Sequence, residues 1–325
     1  MHMYRLAGSH YAIGNEYGAL LRAERFMLPE ASAHKIHYAA KCANVLAHHA
    51  PYLLDEIQGI IDGGQYPADR LKAYALTLNA HVCSVLALAG AHTDDGRPRL
   101  GRNFDWFRGV RQHSALIAAH VPDALTHVGA NDYFVGRHGG INEAGLALGA
   151  TAVPGKRDRV GIIFSLAIRA ALDRCRTTDE AVAWLQDVPH VRNVNFLIVD
   201  AAGTIAVVEA APQRVHSWQP EEGFAAITNQ FQSEPLRSYD NIKRRPQDSE
   251  QRLARLNAWF ARRSGPVSTQ EVQAILARRY PGGVCAQGRS RRFGTMWSWV
   301  ATPGERAIHF ADGSPAEKPY RRYDF

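Results

Sequence analysis

Cys83 opens the strand-like run CSVLALAG, and the next run of that kind is GRNFDWF, from Gly101 to Phe107. The thiolate is a strong nucleophile, but a free thiol with a pKa of about 8.5 is mostly protonated at neutrality and needs a base. If the Val82–Cys83 bond is cut, Cys83 gains an α-amino group that titrates at about 7.7–8.0. That amine can accept the thiol proton and later return it to a leaving amine. One residue then supplies both nucleophile and base, as the N-terminal threonine does in one variant of the catalytic triad. The chemistry is acyl transfer through a covalent intermediate, released by water or by another amine. Taken alone, a free cysteine on a strand is more often a small buried hydrophobe, so its surroundings have to decide.

The elements that must hold such a residue are legible in the hydrophobic periodicity. YAIGNEYGALLRAERF, HYAAKCANVLAHHA, PYLLDEIQGIIDGG and PADRLKAYALTLNAH carry apolar residues at three-to-four spacing, so the first ~80 residues read as almost entirely helical. At Cys83 the period changes to short β runs. CSVLALAG and RLGRNFDW flank TDDGRP, whose Asp-Gly is a hairpin cue. Further strands are expected at ALIAAHV, DYFVGRH and GLALGATAV, then helices at GIIFSLAIRAALDRC and TTDEAVAWLQDV. NFLIVD-AAG-TIAVVEA reads as a hairpin, followed by RVHSW and AAITN. Helices return at DSEQRLARLNAWFARR and STQEVQAILARRY, the latter with a capping box of Ser268 and Glu271. The hairpin GTMWSWVATPGERAIHFADG follows. Strands and helix pairs in this alternation suit two mainly antiparallel sheets stacked between helical layers, an α+β fold.

Composition narrows the class. With 325 residues and 46% hydrophobic content, a sizeable core is available. No run is long and apolar enough to be read as a membrane span, and the N-terminus lacks the apolar core of a secretory signal. The four scattered cysteines contain no C-x-x-C pair, which points to reduced thiols in a cytoplasmic protein. The net charge of +7 gathers late, in KRR, ARR and RSRR runs, without the aromatic interleaving of a nucleic-acid surface. These runs read as solvated arginine faces, with one or two arginines serving an anionic ligand. Fifteen histidines raise a metal-dependent hydrolase as a rival, but no H-x-x-x-H or H-E-x-x-H helix pair occurs. No metal and no cofactor are expected.

The ordered segments GSHYAIGNEYG (8–18), YLLDEIQGIIDGG (52–64), the cysteine strand, GRNFDWF, GINEAGLALG (140–149), NFLIVDAAGTIAVVEA, TNQF (228–231) and GTMWSWV (294–300) give the chain a specific likeness. It resembles the acyl-coenzyme A:aminopenicillanate acyltransferase family and, more distantly, the choloylglycine hydrolases and acid ceramidase, all N-terminal-nucleophile hydrolases. The resemblance implies a four-layer αββα sandwich, with residues 1–82 a helical propeptide removed autocatalytically and 83–325 the catalytic domain. The two pieces would then form a heterodimer, with homo-oligomerisation left open. It implies a small-molecule linear amide as substrate, with an acyl-coenzyme A donor only as a co-substrate. By position, Asp105 would orient the α-amino group, Arg102 would lie beside the thiolate, and Asn229 would donate its amide to the oxyanion. Arg292 would steady the nucleophile, Arg291 being the adjacent candidate. Trp106, Phe107, Tyr133 and Phe134 are candidates for an apolar acyl pocket, or equally for core.

Three positions depart from the family pattern. Val82 is β-branched where the acyltransferase has glycine, which crowds the scissile carbonyl. Thr151 and Ala152 stand where relatives carry an oxyanion asparagine. Position 102 is Arg, as in bile salt hydrolases, rather than Gln. A non-catalytic relative using the basic late region is the rival these departures favour.

Overall fold

The computed structural model describes residues 2–77, 82–109, 114–132, 135–155, 158–287 and 292–325. Alternation along one strand sets the layers. In β2 (Val82–Leu88), Cys83, Val85 and Ala87 face one buried cluster and Leu86 and Leu88 another, because successive side chains of a strand point to opposite faces. The first cluster is the space between two sheets. The second is packed by α8 (Ser249–Ala261) and α9 (Thr269–Ala277).

The sheet carrying β2 runs β11 (Phe224–Ile227), β2, β3 (Arg99–Phe107), β12 (Phe293–Ala301), β13 (Ala307–Ala311), β14 (Arg321–Asp324). Against it lies an eight-stranded sheet in the order β1 (His2–Ala7), β4 (Ser114–His120), β5 (His127–Asp132), β6 (Gly139–Asn142), β7 (Ala147–Ala152), β8 (Val194–Val199), β9 (Ile205–Ala211), β10 (Arg214–Trp218). Its outer face is covered by α1 (His10–Ala23), α2 (Ala33–His49), α3 (Tyr52–Gly64), α4 (Ala68–Ala75), α5 (Phe164–Arg174) and α6 (Thr178–Asp187). The short α7 (Glu234–Arg237) closes a small satellite cluster. The result is a helix–sheet–sheet–helix sandwich, as the alternation of elements suggests. The capping box of Ser268 and Glu271 forms at the start of α9.

Two expectations change. The first ~80 residues are not purely helical: β1 precedes α1 and pairs in parallel with β4, Leu6 lying opposite Ala119. Six residues without turn signals carry no periodic signature, and only a partner remote in sequence makes them a strand. DYFVGRH was expected as a strand, but only its first residue, Asp132, lies in one, at the end of β5; Val135 to His138 lie in the connection to β6, and Tyr133 and Phe134 fall outside the described residues.

The N-terminal helices are tied to the rest by close packing and by buried charge. Gly14 and Gly18 of α1 meet Gly59 and Gly63 of α3 so closely that a Cβ at Gly14 would fall on the Glu56 carbonyl and one at Gly63 on the Asn15 carbonyl. Glu56 of α3 then reaches Arg169 of α5, Oε1 to Nη1 at 2.7 Å, and Arg169 Nε binds Asp173 at 3.0 Å. His10 Nδ1 lies 3.0 Å from the other Glu56 oxygen, and His127 Nδ1 lies 3.3 Å from Asp173. Burial pushes the Glu56 carboxyl up, but Arg169 and His10 together bring it below its ordinary range. Burial, reinforced by Arg169 and Arg137, holds His127 neutral.

Candidate active site

Cys83 sits at the head of β2, 1% exposed, across the ladder from Phe104 of β3. Its Sγ receives a hydrogen bond from Arg102 Nη2 at 3.0 Å. Arg102 is fully buried between the sheets. Its Nε and Nη2 donate to the Ala150 carbonyl at 3.3 and 3.1 Å, and its guanidinium lies 4.8 Å over the Trp297 ring. The room for it comes from Gly149 of β7, where a Cβ would stand 3.2 Å from Arg102 Cδ. Burial pushes the Cys83 thiol up to about 11, with Arg102 pulling the other way. In the uncut chain the thiol is therefore held protonated, beside a cation that favours its thiolate.

Asp105 lies directly opposite Val82 in the β2–β3 ladder, fully buried. Thr295 Oγ1 donates to its Oδ1 at 2.6 Å, while Oδ2 has no hydrogen-bond partner among the described residues. A bulge in β12 builds this contact. The register with β3 shifts between Thr295 and Trp297, so Thr295 pairs with Asp105 while Trp297 pairs with the adjacent Phe104. Cross-strand partners share a face, so one extra residue turns Thr295 to the carboxylate and Trp297 to the inter-sheet space under Arg102.

Burial raises the Asp105 carboxyl to about 6, with Arg252 and Thr295 drawing it back. An unfolded aspartate titrates at about 3.9. Between these values the folded chain holds a proton that the unfolded chain has lost. Stability therefore falls as pH rises through this window and stays lowered above it. Asp105→Asn should be more stable than the wild type above about pH 6, the gap closing toward about pH 4, as read by urea unfolding across that range. A gap that does not change with pH would contradict the assignment.

Asn229, on the segment after β11, accepts the Cys83 backbone N–H on Oδ1 at 3.3 Å and a bond from Arg252 Nη2 at 2.7 Å. Two donors on one atom fix it as the amide oxygen. Its Nδ2 donates to the Ala152 carbonyl at 2.8 Å. The amide thus presents oxygen to Cys83, whereas an oxyanion role needs nitrogen. The Thr151 hydroxyl is bonded to the Thr228 carbonyl.

Sequence reasoning missed Arg252. This guanidinium, 1% exposed on α8, donates from Nη1 to the Cys83 carbonyl at 2.6 Å and to Ser84 Oγ at 2.7 Å, and from Nε to Asp248 at 3.0 Å. With its bond to Asn229 it ties four groups around the head of β2. A signal was present, since Arg252 falls on the same helical stripe as the buried Leu256 and Phe260, with Asp248 one turn before it. Arg292, by contrast, is exposed just before β12, and its carbonyl accepts the Arg108 N–H. By the ladder it stands three residues, roughly 10 Å, past the level of Asp105. Arg291 lies outside the described residues, as do Tyr133 and Phe134. Trp106 is half-buried against the inter-sheet cluster, and Phe107, 54% exposed, packs edge-on to Trp106 and Phe293. Among the described residues, no three His, Cys, Asp or Glu side chains are grouped to hold a metal.

Two stacked sheets between helical layers, with a cysteine at the head of a central strand, define an N-terminal-nucleophile hydrolase fold. Among solved structures, the chain is similar to a cysteine-to-alanine mutant of the conjugated bile acid hydrolase from Clostridium perfringens. That match has 16% identity and a TM-score of 0.53, covering 75% of this chain and 92% of that one. An arginine-to-leucine variant of the same hydrolase matches at 14% identity and a TM-score of 0.51, over 75% and 97% of the two chains. The Caenorhabditis elegans ortholog of N-acylethanolamine-hydrolyzing acid amidase aligns at 14% identity and a TM-score of 0.49, over 75% and 99%. No curated protein matches in sequence. The sequence model of the acyl-coenzyme A:6-aminopenicillanic acid acyl-transferase family matches residues 92–317, well over half of the chain, and the protein belongs to that family.

Proposed function

We propose that the protein is a self-processing cysteine amidohydrolase that cleaves linear, non-peptide amide bonds through an acyl-thioester on Cys83. The observation that carries this reading is the Asp105 carboxylate, buried across the ladder from Val82 with one oxygen unpartnered among the described residues. A new α-amino group at Cys83 supplies that oxygen with a donor.

In the first event Sγ attacks the Val82 carbonyl and the C–N bond breaks, the thiol proton passing to the departing nitrogen. Water then hydrolyses the resulting thioester. This leaves a carboxylate at Val82 and a free amine and thiol at Cys83, so residues 1–82 and 83–325 become two chains. In turnover the amine has acceptors in Asn229 Oδ1 and Asp105 Oδ2, which leave its lone pair for the thiol proton. Arg102 stabilises the thiolate. Sγ attacks the substrate carbonyl, the amine product leaves with the proton, and water releases the acid. In this scheme Asn229 positions the base. Release of the Val82 end from the strand head would also expose the sulfur, and so relieve the burial that holds the thiol near 11 in the uncut chain.

The name of the matched family favours a second outcome at the same thioester, release to an amine with an acyl-coenzyme A-type donor as co-substrate. Intact mass tests the processing step. Wild-type protein should resolve into two species split between Val82 and Cys83, while Cys83→Ala stays whole and inert toward amides. Whole wild-type chain that nevertheless hydrolyses amides would overturn self-processing.

A further inference from the structure

The late arginines include a group that the Cys83 chemistry does not use. Between α8 and α9, on the side of the six-stranded sheet away from the sulfur, lies a cleft of about 410 Å³ walled by Arg255, Arg262, Arg263 and Arg278, with Trp259 on one side. Arg255 and Trp259 lie on one face of α8, and Arg262, the residue that caps its C-terminus, follows them at helical spacing. Arg263 is committed elsewhere: it lies 3.6 Å over the Phe260 ring and donates to the Phe260 carbonyl and to His92. Arg255, Arg262 and Arg278 pair with no carboxylate among the described residues. Glu271, the acidic group in the wall, accepts the N–H and hydroxyl of Ser268 in the α9 capping box. Like charges gathered around one concavity repel, and Glu271 offsets only one of the four guanidiniums.

We propose that this cleft binds a small molecule bearing a di- or polyphosphate. Guanidinium forks match phosphate oxygens bidentately and are less strongly hydrated than ammonium groups. Three uncommitted arginines call for a ligand with about three negative charges, the charge of a diphosphate at neutrality. The capping box uses the Ser268 and Glu271 N–H groups and sets the Glu271 carboxylate at the start of α9, so the guanidiniums and not the helix end hold the anion. The volume suits a small molecule, at the lower end of ordinary ligand sites of about 300–1,000 Å³. Trp259 offers an apolar wall to the organic part of such a ligand. The site is independent of processing at Cys83, so its test and that of the catalytic reading can fail separately.

Isothermal titration of the full protein with inorganic pyrophosphate, at fixed ionic strength, should give saturable one-site binding. Arg255→Glu/Arg262→Glu should weaken it at least ~10-fold, since two charge-assisted donors become repelling carboxylates. Arg244→Glu, an exposed charge reversal outside the cleft, should change it less than about twofold. Absence of saturable binding overturns the proposal, as does equal binding by the double variant. Equal affinity for citrate or sulfate overturns the phosphate assignment.

Discussion

Arg252→Ala should abolish both processing and amide turnover while destabilising the fold by about 3–5 kcal/mol, the usual cost of leaving one member of a buried ion pair alone. The substitution takes the guanidinium away from the buried Asp248 and removes the donors to the Cys83 carbonyl, Ser84 Oγ and Asn229 Oδ1. Losing those ties frees the head of β2, and a displacement of about 1 Å there costs on the order of 100-fold in rate. Arg252→Lys should recover part of the stability by pairing with Asp248, yet little of the activity, because one ammonium cannot serve four groups arranged around a planar fork. Urea unfolding gives the first quantity, and the rate of thioester formation with an activated amide the second. A stable Arg252→Ala protein with full turnover would remove Arg252 from the site altogether.

Arg169→Met should be comparably damaging at neutral pH, and for a related reason. Glu56 and Asp173 would lose the guanidinium between them inside a layer of apolar side chains. A deficit of about 3–5 kcal/mol is expected at pH 7.5. Without Arg169 both carboxyls shift above their unfolded values of about 4, so the deficit should be fully present above the raised values and shrink as pH falls toward 4. Urea unfolding at pH 7.5 and 4.5 measures this. A deficit that grows on acidification would contradict the buried-charge explanation. Glu56 and Arg169 stand on opposite sides of the Val82–Cys83 bond in sequence. In a processed protein the same variant should therefore let the two chains separate on gel filtration, where the wild-type chains co-elute.

How much of this was readable beforehand depended on sequence distance. Cys83, Arg102 and Asp105 lie on two strands of one hairpin, so local alternation and a turn cue place them together. Asn229 arrives from β11, the other neighbour of β2, and was accessible only through the TNQF motif. Even then the motif could not say which end of the amide faces the cysteine, because that depends on Arg252 and Ser249, which hold it from α8. Arg252 hid among the arginines of an amphipathic helix whose polar face looks solvated, and only its phase with Leu256 and Phe260 sets it apart. The β12 bulge has no signature in TMWSW, since it is a property of the pairing with β3. Arg292 shows the converse case. Motif proximity favoured it, but it stands exposed beyond the end of the ladder.

The parallel pairing of β1 with β4 has a bearing on solubility. β4 would otherwise present a bare row of backbone donors and acceptors at the margin of a seven-stranded sheet, and open margins of this kind recruit other chains. His2–Ala7 occupies that margin along the register from Ala115 to His120. The N-terminal segment thus covers β4 and becomes the outer strand in its place. If residues 1–82 are cut from the rest, as proposed, this pairing is one reason for them to stay attached.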